Sequence, residues 1–87
     1  MPTAYVLIST DVGAEREVLE RLKEFPEVEE AYVVYGIYDL VVKIDVERQE
    51  DLREVLTNKL RKLDKVRSTL TMIAVEGFER WKKQESM

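Results

Sequence analysis

The sequence predicts an α+β domain: a four-stranded antiparallel sheet with two helices on one face, in the order β-α-β-β-α-β. Three observations predict it. Runs rich in Val, Ile, Tyr and Thr alternate with two amphipathic stretches of helical period. Two of the β runs are separated only by a Gly-Ile break, which reads as a hairpin. Both sides of each strand are largely apolar, so the face turned away from the helices needs a cover.

The first strand is Thr3–Thr10, TAYVLIST. Asp11, Val12 and Gly13 then break the pattern. From Ala14 the period is helical: Ala14, Val18, Leu19, Leu22 and Phe25 share one face, and charged residues fill the other. Pro26 ends this helix. Residues 28–35 form the second strand and 38–45 the third, with Gly36 and Ile37 as the turn. A second helix covers about 48–63, with Leu52, Val55, Leu56, Leu60 and Leu63 as its apolar stripe. Asp45 or Glu47 is suited to its N-terminus, and Arg61 and Lys62 to its C-terminus. Residues 66–76 are the last strand. The order is the split βαβ, or ferredoxin-like, arrangement. The domain is assigned to 1–77 and a C-terminal tail, with Phe78 and Trp81, to 78–87.

Strand side chains alternate between faces. The first strand splits into Tyr5, Leu7, Ser9 and Ala4, Val6, Ile8; the second into Ala31, Val33, Tyr35 and Tyr32, Val34; the third into Tyr38, Leu40, Val42, Ile44 and Asp39, Val41, Lys43; the fourth into Thr69, Thr71, Ile73, Val75 and Leu70, Met72, Ala74. Both sets are substantially apolar in every strand. A sheet wetted on one side shows cleaner alternation than this. A second copy of the domain is the economical cover, so the sequence predicts a homodimer joined through its sheets.

Composition excludes several classes. The 87 residues suffice for one small domain, and 45% hydrophobic with 37% charged residues fits a folded chain rather than a disordered one. There is no Cys and no His, which removes disulfides, thiolate metal sites and the usual base near neutral pH. No Ser/His/Asp set, Cys/His pair, P-loop or GxGxxG is present, and no catalytic residue, metal or cofactor is expected. A net charge of −4 argues against an electrostatic grip on nucleic acid. No apolar run is long enough for a bilayer and no signal-peptide layout opens the chain, so no membrane contact and a cytoplasmic location are the default expectations. Abundant Glu, Lys and Arg without Cys or His hint at a thermophilic source.

The most informative local motif is Gly36-Ile37-Tyr38-Asp39. Gly36 suits a positive φ in the turn. Asp39 opens an apolar strand, where aspartate is disfavoured. It either accepts hydrogen bonds from a ligand's ammonium group or closes its own loop. Thr69 and Thr71 share a strand face, and their hydroxyls suit a polar ligand or merely a strand. The helix charges read as a solvated face. Glu29 and Glu30, adjacent on a strand, point to opposite faces and make a poor acid/base pair.

The chain resembles the ligand-binding and assembly (RAM) domain of the Lrp/AsnC transcription regulators. Four stretches carry the likeness: AYVLIST at 4–10, VEEAYVVYGIYDL at 28–40, LREVL at 52–56 and VRSTLTMI at 66–73. The resemblance runs from about residue 3 to 76. It implies sheet-to-sheet dimers, further assembly into rings such as octamers, and amino-acid effectors bound between dimers. Carried over, Gly36, Tyr38 and Asp39 match the turn motif, Thr69 and Thr71 the last-strand positions, and Tyr35 and Ile73 are apolar wall. Asp39 then pairs with the ligand ammonium, and N–H groups near Gly36 hold its carboxylate. Family regulators carry a helix-turn-helix before this domain, whereas this chain opens on the first strand. The expectation is a stand-alone module that modulates transcription or metabolism without binding DNA itself. Two alternatives stand beside it: an assembly partner of full-length regulators with no ligand, and a small dimeric ferredoxin-like enzyme with a closed pocket around Asp39. An RNA-binding module of this fold is disfavoured by the charge.

Overall fold

The computed structural model describes residues 2–80. The elements are β1 (Thr3–Thr10), α1 (Glu15–Leu22), β2 (Val28–Val33), β3 (Leu40–Asp45), α2 (Gln49–Val55) running into a π-helical turn (Leu56–Leu60), and β4 (Val66–Ile73). All strand pairs are antiparallel, in the order β2-β3-β1-β4. This is the ferredoxin-like fold.

Pairing register explains the core. Three rows cross the sheet on the helix side: Val33–Leu40–Ile8–Thr69, Ala31–Val42–Val6–Thr71 and Val28–Ile44–Ala4–Ile73. Their central members are buried against Val18 and Leu22 of α1 and against Leu52, Val55 and Leu60. The apolar stripes read from the sequence are the faces that pack, with Leu19, Phe25 and Leu56 at the margin.

The opposite face is open. Its rows are Tyr32–Val41–Leu7–Leu70 and Glu30–Lys43–Tyr5–Met72. Tyr5, Tyr32, Leu70 and Met72 are exposed large apolar side chains there. The second apolar face expected from alternation therefore exists, interrupted by Glu30 and Lys43.

Several boundaries differ from the sequence expectation. The second strand ends at Val33 and the third begins at Leu40, so residues 34–39 form a six-residue loop instead of a tight turn. Tyr35, Tyr38 and Asp39 thus leave the strands. The cause is a tether: the Asp39 amide donates to the Ile8 carbonyl on β1 at 2.8 Å, and the Val34 amide to the Asp39 carbonyl at 2.9 Å. The last strand stops at Ile73. Neither Asp45 nor Glu47 caps α2: the N-cap is Arg48, with no side-chain cap bond, and Asp45 instead accepts a hydrogen bond from the Thr3 hydroxyl. Phe78 is exposed, and Trp81 lies outside the described residues.

The π-helical turn, closed by the Arg61 amide on the Leu56 carbonyl at 3.1 Å, coincides with a clamp onto the connection between α1 and β2. Lys59 Nζ donates to both Glu27 carboxylate oxygens at 3.0 and 2.9 Å and lies 5.7 Å from the centre of the Phe25 ring. The hydrogen bond from Lys59 holds the Glu27 carboxyl below its ordinary value of 4.5. A depressed carboxyl contributes stability that is complete above its unfolded value and lost as pH falls through the folded one. With both side chains about one third exposed, the pair is worth about 0.5–1 kcal/mol. Unfolding free energies from urea titration of wild type and E27Q are expected to differ by that amount at neutral pH and to converge as pH falls below 4.5. A difference that persists in acid would contradict this.

Candidate functional site

The loop 34–39 is built around Asp39. Its Oδ2 accepts from the Thr10 amide at 2.8 Å and from the Thr10 hydroxyl at 3.4 Å. Thr10 is buried, and its single hydroxyl proton is shared between Asp39 and the nearer Asp11 carbonyl, at 3.0 Å. The loop-closing role weighed from the sequence is therefore present. It uses only one carboxylate oxygen: Asp39 Oδ1 has no hydrogen-bond partner among the described residues. Both offices read for this residue are thus open to it at once.

Around Asp39 the loop is bare. Tyr35 and Ile37 are 105% and 92% exposed, while Tyr38 and Asp39 are half-buried. Gly36 has φ +150°, a conformation that L side chains rarely adopt, so glycine is suited there although a Cβ would meet no atom. The backbone N–H groups at this tip lie outside the sheet ladder.

Thr69 and Thr71 stand elsewhere. Both lie on the helix side of the edge strand β4, opposite Ile8 and Val6. Leu40, next to Asp39, pairs with Ile8, so Thr69 sits two strands away, about 10 Å. The Thr71 hydroxyl oxygen is buried with no hydrogen-bond partner among the described residues. One chain thus gathers Tyr35, Gly36, Tyr38 and Asp39 in one loop and holds Thr69 and Thr71 apart from it.

Sequence reasoning missed a polar cluster on the open sheet face. A β-bulge between Val28 and Glu30 sets two residues of β2 against one of β3. Strict alternation fails there, and both glutamates meet partners from the open face. Glu29 lies 3.2 Å from Lys43 Nζ, and Glu30 accepts from the Tyr32 hydroxyl at 2.9 Å. Glu79 reaches Lys43 at 3.9 Å. A hydrogen bond with Asp45 raises the Glu29 carboxyl above its ordinary value, while the Thr3 hydroxyl chiefly lowers Asp45. Glu29 in turn raises the Lys43 ammonium. A cavity of about 590 Å³ opens over this cluster, walled by residues 74–79. Nothing in strand periodicity marks it, because a bulge has no local sequence signal here.

Among the described residues no three His, Cys, Asp or Glu side chains gather as a metal site, and no helix is long and apolar enough to cross a membrane. Asp39 does not line the cavity over the Glu29–Lys43 cluster.

Residues 3–84 match the family described as the Lrp/AsnC ligand binding domain. The HTH-type transcriptional regulator FL11 of Pyrococcus furiosus is 36% identical over 73 residues, covering 84% of this chain and 48% of the regulator. The chain spans about half the length of the curated relatives it matches. Among solved structures, FFRP-DM1 superposes with a TM-score of 0.83 at 51% identity, over 86% of this chain and 100% of that one. AsnC of E. coli does so at 0.85 and 27% identity, over 91% and 54%.

Proposed function

The chain belongs to the Lrp/AsnC ligand-binding domain family, and from that premise we propose that it is an effector-binding and assembly module rather than an enzyme. It forms homodimers through the open sheet face, and the dimers assemble further, into octamers or similar rings. A small amino acid binds where copies meet and shifts the association equilibrium, because it contacts the assembled state better than the separated one. The module acts in transcriptional or metabolic regulation in the cytoplasm without reading DNA itself. Mixed assembly with full-length regulators of the family is a further route to the same end.

The observation that carries this reading is the half-committed carboxylate of Asp39. One oxygen fixes the loop to β1 and the other has no partner among the described residues, beside two fully exposed apolar side chains. That oxygen suits a ligand ammonium, and the tip N–H groups near Gly36 suit its carboxylate. Tyr35 and Tyr38 border the ligand. Thr69 stands two strands away in the same chain, so a neighbouring copy supplies it, whereas the Thr71 hydroxyl is buried within its own chain. An enzyme reading needs a closed pocket around Asp39 within one chain, and the loop stands in the open instead.

Calorimetric titration with the twenty amino acids tests the reading. At least one is expected to bind, and D39N to weaken that binding about tenfold or more, because a charge-assisted hydrogen bond is worth about 1.5–3 kcal/mol. Asparagine keeps an acceptor for the Thr10 amide, so D39N is expected to melt close to wild type. No binding by any amino acid at high concentration would remove the effector from the account.

A further inference from the structure

In a chain of net charge −4, residues 52–67 hold six basic side chains against only Glu54 and Asp64. Lys59 is engaged with Glu27. Arg53, Arg61 and Arg67 form no ion pair among the described residues. Read along the sequence they are a solvated helix face and strand edge. In space they border one cleft.

The cleft lies between α2 and β4. Its main chamber, about 330 Å³, has Leu52, Leu56 and Ile73 as apolar lining, with Gln49, Arg53, Thr57 and Arg61 beside them. Arg61 also borders an adjoining chamber of about 320 Å³ with Arg67 and Thr69. Between Ile73 and Thr69, on the same face of β4, stands Thr71, whose buried hydroxyl is without a partner among the described residues. No Asp or Glu lines either chamber. A volume near 300 Å³ is the lower end of what small-molecule sites use, about 300–1,000 Å³.

We propose that this cleft binds a small aliphatic carboxylate without an ammonium group, an α-keto or α-hydroxy acid of branched-chain size. Its apolar part rests on Leu52, Leu56 and Ile73. Its carboxylate meets the guanidinium groups of Arg53 and Arg61, whose planar forks suit a carboxylate. An amino acid fits worse, since its ammonium group would face arginines with no carboxylate in reach. The chemistry is therefore the complement of the Asp39 loop, which offers a carboxylate to a cation. Thr69 belongs to both proposed sites, but Arg53 and Arg61 belong to the cleft alone and Asp39 to the loop alone, so their substitutions separate the two.

The test is calorimetric titration of D39N, which silences the loop, with three probes: the α-keto acid of leucine, leucine itself, and the neutral methyl ketone of the same carbon skeleton. The keto acid is expected to bind saturably, and both other probes about tenfold or more weakly. Adding R53Q and R61Q, both at exposed positions, is expected to weaken the keto acid by at least the same factor without changing the melting temperature appreciably. Equal binding of the methyl ketone, or undiminished binding after loss of both arginines, would overturn the carboxylate site. Equal binding of leucine would overturn the ligand class. No saturable binding of the keto acid at about 10 mM, a threshold weaker than 3 kcal/mol of affinity, would overturn the site itself.

Discussion

On the proposed dimer, replacing Leu70 by glutamate is expected to give a folded monomer. Leu70 ends the row Tyr32–Val41–Leu7–Leu70 on the sheet face that no helix covers, and it is 45% exposed. A dimer formed through this face is isologous, so each substitution enters the contact twice. An unpaired carboxylate taken out of water costs several kcal/mol, and each 1.4 kcal/mol weakens association about tenfold. L70E should therefore weaken the dimer by about a hundredfold or more. The substitution leaves the helix-side core untouched, because strand neighbours point to opposite faces. Sedimentation should report a monomer while the circular dichroism spectrum stays that of wild type. V12E, at a fully exposed position in the β1–α1 turn, should leave the mass unchanged. A dimer that survives L70E would mean that the copies meet elsewhere.

Leu60→Ala is expected to lower stability by about 2–5 kcal/mol. Leu60 is fully buried and closes the π-helical turn over the sheet. Alanine there removes apolar contact and leaves a cavity that the turn cannot easily close, because Lys59 beside it is fixed to Glu27. In a domain of this size each kcal/mol moves the melting temperature by about 4–8 °C. V12A, at a surface position, should change stability by no more than about 0.5 kcal/mol. A loss in L60A below about 1 kcal/mol would mean that the turn relaxes to fill the space.

The elements were legible in the sequence where structure is set locally. Thr3–Thr10 alternates and is a strand over that whole span. Val18 and Leu22 repeat at helical spacing and are buried. What escaped was set by partners distant in the chain. Val34, Tyr35 and Tyr38 are good strand formers, yet the Asp39 amide bonds to Ile8 and holds them in a loop. Asp45 suits a helix cap, yet Thr3 engages it first. Glu29 and Glu30 alternate on paper, yet a bulge turns both toward partners on the open face.

The candidate site divides in the same way. The Gly36–Asp39 motif was visible as a conformational oddity, because a glycine and, three residues on, an acidic residue break an apolar run. Its three-dimensional separation from Thr69 and Thr71 was not visible, since sequence spacing carries no information about strand order. The arginine cleft escaped because side chains from α2 and β4 converge only after the fold forms.

The central claim is that copies of this chain associate and that a small amino acid alters the association. Light scattering of the wild-type protein, with and without each amino acid at saturating concentration, tests it most directly. The account predicts a dimer or larger assembly without ligand and a changed mass distribution with at least one amino acid. A monomer under every condition, or an assembly whose mass no amino acid alters, would contradict it.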